Sequence, residues 1–161
     1  MKVVSALIAG VCGSLAMSAA MLCLRLLGVN VSLEALLGSM FANSIPGSPF
    51  LIGFLIHVTV GALVGLGYAA IFEFAIQRAG VLAGAGLGLS HGLMTGLVMS
   101  GIPAMNPLGS AGQAGPGVFL QNLEFGPLLF IALHVPYGAV AGAAYGHPLQ
   151  SPHLYTNRTA H

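Results

Sequence analysis

Four long runs of apolar residues dominate this sequence and limit what it can fold into. They cover about residues 3–27, 50–77, 81–102 and 125–147, and each is long enough to cross a hydrocarbon layer of about 30 Å as a helix. Charged side chains make up only 4% of the 161 residues, whereas soluble proteins average about a quarter. The sequence therefore predicts an all-α, polytopic membrane four-helix bundle, with residues 1–147 as a single transmembrane domain.

The few charged residues indicate an orientation and exclude one class of function. Four cationic and three acidic side chains leave no basic surface, so nucleic acid is excluded as a partner. Lys2, Arg78 and Arg158 fall on one side of the predicted membrane and Arg25 on the other, so the positive-inside rule puts both termini in the cytoplasm. We expect a multi-pass protein of the inner, or plasma, membrane, with residues 148–161 as a polar cytoplasmic tail.

The connections between the runs also carry information. Residues 33–41, within a more polar stretch, predict a short helix lying at the membrane interface. The tight turn at residues 78–80 predicts that the second and third runs are antiparallel neighbours. The first run has features of a cleavable signal peptide, but its apolar character continues past the small residues 18–20, so we expect it to be retained as a helix.

One stretch occurs twice, in the second run and in the fourth. Residues 57–68 and 134–145 share a histidine, a valine, two glycines, an alanine and a tyrosine in register. The histidine and both glycines follow at four-residue steps, so one helix face carries an imidazole followed by bare backbone. A weaker likeness relates residues 10–18 to residues 92–100. We interpret the chain as two parallel copies of a helical hairpin, related by an axis along the membrane normal.

Small residues at four-residue spacing extend along most of the runs. They predict close packing between helices, because glycine lets two backbones approach in lipid, where no hydrophobic force drives helices together. The longest stripes lie in the second and third runs: Gly53, His57, Gly61, Gly65 and Ala69, and Gly84, Gly88, Gly92, Gly96 and Ser100.

Together these features resemble a family of small four-helix bacterial integral membrane proteins known as a domain of unknown function. The likeness covers about residues 3–147. The matching features are the end of the first helix at residues 17–22, the first histidine helix at 57–61, the third helix at 81–103, a Gly-rich loop at 116–119 and the second histidine helix at 133–146. The resemblance implies the four-helix topology and brings no activity with it.

Three histidines, His57, His91 and His134, fall well inside the predicted helices. Ionisable groups at such depth usually face a bundle interior and are candidates for function. One interpretation is structural, with each neutral imidazole bonded to a carbonyl or hydroxyl group of a neighbouring helix. The other is a cofactor site, in which His57 and His134 are axial ligands of a b-type haem. The floor beneath that macrocycle would be Gly61, Gly65, Gly138 and Gly142.

A metal ion is a further alternative for the same histidines. Imidazole and thioether ligands both favour copper, so His57, His91 and His134 with Met94 or Met99 would suit Cu(I). Methionine also fills irregular gaps in apolar cores, which is the simpler explanation for both thioethers.

Polar groups near the two ends of the bundle are candidates for an entrance or relay. Glu73 continues the His57 face to the cytoplasmic end, where it could pair with Arg78 at the interface or serve as a proton exit. Glu124 begins the fourth helix, so its carboxylate is suited to capping that helix. With Asn122 and Gln121, it could instead line an outer entrance above the histidines.

The sequence contains no nucleophile elbow, phosphate-binding loop or zinc-protease motif, so an enzyme working alone is not expected. Low charge and extensive glycine faces favour an accessory, assembly or structural subunit of a larger membrane complex. Its partners would be lipid and other membrane subunits, or a second copy. A haem- or copper-binding electron-transfer subunit is the second interpretation, and a small channel or transporter is the third.

Overall fold

The computed structural model describes residues 1–29, 31–41, 49–100 and 126–149. Its helices are, in chain order, α1 Val3–Leu26, α2 Leu33–Phe41, α3 Pro49–Ala70, α4 Val81–Ser100 and α5 Gly126–Leu149. Helices α1, α3, α4 and α5 are each long and apolar enough to cross a membrane. The prediction of an all-α bundle with four membrane-spanning helices is confirmed, and the chain has the character of an integral membrane protein.

The helix ends follow the apolar runs closely, and the short helix expected at residues 33–41 is present as α2. Gly28 has a φ of 87°, a conformation that glycine adopts without strain, and it follows the end of α1. α5 continues to Leu149, slightly beyond the predicted start of the tail. The rest of that tail, residues 150–161, lies outside the described residues.

A π-helical segment, Ile71–Ile76, extends α3 without a break. A π-helix closes each hydrogen bond over one more residue than an α-helix, so the side chains in it shift to new faces. Phe72 is fully buried there, and Glu73 belongs to the same segment. The segment ends at Gln77, which has a left-handed φ of 57°. This segment was not predicted from the sequence.

Small residues bring α1 and α3 into backbone contact. A β-carbon added to Gly65 would lie 2.8 Å from the Cα of Gly10, and one added to Gly10 would clash with the carbonyl oxygen of Gly61. One turn further along α1, the hydroxyl of Ser14 fills the space beside Gly61. Gly61 and Gly65 of the second apolar run therefore lie on the face that α3 turns toward α1.

The second helix pair, α4 and α5, is packed in the same way. A β-carbon added to Gly138 would lie 2.8 Å from the Cα of Gly88, and one added to Gly142 would lie 2.8 Å from the Cα of Gly84. Larger residues at these positions would require the two helices to separate.

The two pairs meet where α1 packs along α5, and α2 covers one side of α3. α4 lies against α5 and contacts α3 through the side chains of His91 and Tyr68. The second and third runs, predicted as antiparallel neighbours, therefore meet through side chains and not through close backbone packing. The physical reason is that their glycine faces are already occupied, by α1 and by α5.

The α1–α3 pair and the α4–α5 pair correspond in a different register from the one indicated by the weak likeness of residues 10–18 to residues 92–100. Gly10 faces Gly61 in the first pair, and Gly84 faces Gly138 in the second. By contact, the counterpart of Gly10 is Gly84, whereas the alignment indicated Gly92, about two helical turns further on. The duplicated hairpin itself stays a prediction.

Candidate functional site

Four side chains from α3, α4 and α5 meet inside the bundle, and we call them the ring cluster: Tyr68, His91, His134 and Tyr137. The centroids of the His91 and His134 rings are 5.0 Å apart, and those of Tyr68 and Tyr137 are 5.3 Å apart. His91 also lies 5.8 Å from Tyr68 and 6.1 Å from Tyr137 by ring centroids. All four contacts are edge-to-face, an arrangement that ring quadrupoles favour. The cluster thus connects three membrane-spanning helices.

Both tyrosine hydroxyls of the ring cluster have partners on other helices. The Tyr137 hydroxyl donates to the carbonyl oxygen of Gly61 at 2.7 Å, which links α5 to α3. The Tyr68 hydroxyl lies 3.2 Å from Nδ1 of His91, which links α3 to α4. Glycine at position 61 leaves its carbonyl group accessible, so the same residue serves both close packing and a polar bridge. These bonds compensate the loss of hydration on burial in lipid.

The two repeated histidines, His57 and His134, are buried as predicted, but they bond to different kinds of partner. Nε2 of His57 donates to the carbonyl oxygen of Ser14 on α1 at 3.3 Å. Nδ1 of His134 donates to the carbonyl oxygen of Phe130 on its own helix at 2.8 Å. A carbonyl oxygen only accepts, so these contacts assign the proton on each ring. The two histidines thus bond to backbone carbonyl groups of different helices.

The glycines expected to form the floor of a haem site have another role. Gly61 and Gly65 face α1, and Gly138 and Gly142 face α4, at distances that leave no room even for a β-carbon. A macrocycle could not lie on these faces without separating the helices. The proposed floor was therefore wrong, because glycine here brings helices together and does not leave a gap. The residues do not fit an axially ligated haem at this place.

The proposed copper ligands are not assembled into one group. Among the described residues, no three or more His, Cys, Asp or Glu side chains are grouped so that they could hold a metal ion. His91 and His134 are in contact, whereas His57 is bonded to α1. Met94 is 61% exposed on the outer surface of α4, so it has no buried position beside the imidazoles. The side chain of Met99 lies outside the described residues.

Of the polar groups predicted for an entrance or relay, Glu73 lies in the described part of the chain. Glu73 accepts a hydrogen bond from the Tyr145 hydroxyl at 2.5 Å and forms an ion pair with the amino group of Met1 at 2.8 Å. These contacts connect the π-helical segment to α5 and to the start of α1. Glu124 and Asn122 lie outside the described residues, so the proposed outer entrance stays a prediction.

The sequence analysis missed a buried carboxylate at the N-terminal end of α2. Glu34 is 0% exposed, and its Oε2 accepts a hydrogen bond from Ser32 at 3.0 Å and lies 3.6 Å from the guanidinium of Arg25. Its Oε1 has no hydrogen-bond partner in the described part of the chain. The opposite charges on either side of the turn at Gly28 were the available signal for this pair.

Comparison of the chain with protein-family models, with curated proteins and with solved structures finds no match. The resemblance to a four-helix bacterial family therefore stays a prediction. Inferences about function rest on the geometry of the bundle and on its outer surface.

Proposed function

We propose that the protein is an accessory, assembly or structural subunit of a larger membrane complex. Two features of the interior support this role over a cofactor-based one. The glycine faces are occupied by neighbouring helices, and the buried hydroxyls of Tyr68 and Tyr137 are used in contacts between helices. Such an interior stabilises the bundle and leaves the outer surface to interact with partners.

The single observation that carries the proposal lies on the outer face of α4. Gly86 and Ser90 are exposed there, one turn apart, and nothing lies within 4 Å of a β-carbon added to Gly86. Leu82 and Met94 continue the face and are 88% and 61% exposed. Two small residues at four-residue spacing allow a second helix to approach closely in lipid. The face is suited to a membrane-spanning helix of another chain or of a second copy.

Native extraction into lipid nanodiscs tests this role. We expect the wild-type protein to migrate as a complex larger than a single chain, and Gly86→Leu to reduce the share in that complex. Gly67→Leu is the matched control, since Gly67 is also exposed and unpacked but lies on α3, where the residues four positions away on either side are Leu63 and Ile71. A wild-type protein that migrates as a single chain, or a Gly86→Leu variant that assembles normally, would contradict the proposal.

A small channel or transporter is a second candidate, favoured by the ring cluster. Imidazole groups inside a membrane bundle often belong to ion or proton pathways. Proteoliposomes loaded with a pH-sensitive dye would then pass protons faster than empty liposomes, and His134→Ala would slow that flux. Thr59→Val, which alters a hydroxyl on the exposed side of α3, is the control. A wild-type rate equal to that of empty liposomes would remove this candidate.

The proposal includes a location and an orientation. The protein lies in the inner membrane, and both of its termini are in the cytoplasm. The distribution of Lys2, Arg25, Arg78 and Arg158 supports it. A green fluorescent protein fused after residue 161 should fluoresce, because that reporter folds in the cytoplasm. A fusion to alkaline phosphatase at the same place should be inactive. The reverse pair of results would invert the topology.

A further inference from the structure

Outside the ring cluster, polar contacts link α1 to both α3 and α2: His57 bonds to α1, and Arg25 of α1 pairs with Glu34 of α2. We call this place the junction site and define it by Glu34, His57 and Ser18, which lies on the face of α1 that makes these contacts. Oγ of Ser18 and Oε1 of Glu34 are shielded from solvent and have no hydrogen-bond partner in the described part of the chain. Native proteins rarely leave buried polar atoms in this condition unless water or an ion completes them.

The contacts made by α1 arrange these groups along one helix face. Ser14 accepts the hydrogen bond from His57, and Arg25 reaches the Glu34 carboxylate. Ser18 lies between them on the same face, about one turn from Ser14 and about two turns from Arg25. The backbone carbonyl oxygen of Glu34 lies beside Gly53, one turn before His57 on α3. Along the axis of α1, the Ser18 hydroxyl therefore lies between the positions where His57 and Glu34 contact this helix.

Of the two carboxylate oxygens of Glu34, Oε2 has the contacts with positive or donor groups. Arg25 is 3.6 Å from Oε2, beyond hydrogen-bond distance, and its Nη1 donates to the carbonyl oxygen of Val31 at 2.9 Å. The hydroxyl of Ser32 also donates to Oε2. Oε1 has no hydrogen-bond donor in the described part of the chain, although a buried carboxylate oxygen without a partner is costly.

The space around the junction site is narrow because α2 is pressed against α3. A β-carbon added to Gly53 would lie 2.6 Å from the amide nitrogen of Gly38 and would clash with the carbonyl oxygen of Glu34. A β-carbon added to Gly38 would in turn clash with the backbone of Pro49. An organic ligand could not enter without displacing α2, whereas a single ion or water molecule needs little room.

We propose that the junction site binds a small monovalent cation, with Oε1 of Glu34 and Oγ of Ser18 among its ligands. Oxygen ligands select hard cations, of which Na⁺ is the probe used below. One carboxylate, already shared with Arg25, is a poor match for a divalent ion. A transition metal is disfavoured because the described residues hold no group of three suitable ligands. This proposal does not depend on the docking role of α4.

Equilibrium binding of radioactive ²²Na⁺ to the purified full chain in detergent tests the site. We expect saturable binding by the wild-type protein, loss of binding in Glu34→Gln, and about tenfold weaker binding in Ser18→Ala, since one ligand to a charge is removed. Thr59→Val and Glu73→Gln are controls, because Thr59 is exposed and its hydroxyl bonds to Leu55 of its own helix, and Glu73 lies beyond the other end of α3. Both should bind as the wild-type protein does.

Thermal unfolding gives a second readout that does not require the variants to be equally stable. Replacing N-methylglucamine by Na⁺ should raise the unfolding temperature of the wild-type protein and leave that of Glu34→Gln unchanged. Absence of saturable Na⁺ binding by the wild-type protein would overturn the proposal and leave a bound water as the partner of Oε1. Equal Na⁺ binding by Glu34→Gln and the wild-type protein would overturn it as well.

Discussion

At the scale of single residues, the consequences of a glycine depend on which face of its helix it occupies. Gly84 and Gly86 are two residues apart on α4. A β-carbon on Gly84 would meet the backbone of Gly138, whereas one on Gly86 would meet nothing within 4 Å. The two glycines cannot be distinguished by composition. The difference in space around them arises from how the helices pack.

Alanine substitutions at these two positions should therefore differ. We expect Gly84→Ala to lower the free energy of unfolding by about 1 to 3 kcal/mol, because the added methyl group forces α4 away from α5. Gly86→Ala should be neutral or slightly stabilising, because alanine favours the helix. Unfolding by sodium dodecyl sulfate in mixed micelles measures both changes. Equal losses for the two variants would contradict the packing described for α4 and α5.

The Tyr137 hydroxyl is a second residue-scale test. Tyr137→Phe removes its hydrogen bond to the Gly61 carbonyl and keeps the ring in place. We expect a loss of about 0.6 to 2 kcal/mol in the free energy of unfolding, the usual range for polar contacts between membrane helices. Thr59→Val is the control, because Thr59 is exposed and bonds only within its own helix, to Leu55. A larger loss in Thr59→Val would argue against the bridge.

Sequence reasoning reached the burial of His57 and His134 but not their partners. Burial follows from position along an apolar helix, which the sequence contains. Their hydrogen-bond partners depend on which helices become neighbours. The likeness of residues 57–68 to residues 134–145 instead suggested one site shared by the two histidines. Glu34 was missed for a related reason. A carboxylate in a polar connecting stretch is normally solvated, and only the packing of α2 against α3 buries it.

At the scale of elements, α2 packs closely against α3 because glycine leaves room for backbone contact. Gly53 of α3 leaves the space that the α2 backbone occupies, and Gly38 does the same for the start of α3. This contact encloses Glu34 and thereby creates the junction site. The position of α2 is thus set by the same glycine-based packing that joins α1 to α3.

Gly53→Ala should loosen α2 without disrupting the bundle. The readout is thiol labelling of Leu36→Cys, at a position that is 5% exposed, in a chain whose Cys12 and Cys23 have been replaced. We expect faster labelling when Gly53 is alanine, because the added methyl group displaces the α2 backbone. Gly67→Ala, at an unpacked position of α3, should leave the labelling rate unchanged. Similar rates in all three chains would show that α2 is not held in this way.

At the scale of the whole molecule, the apolar runs were sufficient to predict the class of fold and the approximate helix ends. They did not determine which helices pack together. The turn at Gly80 suggested α3 and α4 as close neighbours, yet each of them uses its glycine face on another helix. The π-helical segment was also unpredicted, because the composition of Ile71–Ile76 is equally suited to an α-helix.

We infer that glycine joins the helices in pairs and that the buried histidines make contacts within the bundle and do not ligate a haem. An absorption spectrum of the protein, purified in mild detergent from cells able to make haem, tests the role of the histidines. We predict no Soret band, and the same spectrum for the wild-type protein and the His57→Ala and His134→Ala variants. A Soret band in the wild-type protein that either substitution removes would contradict the account.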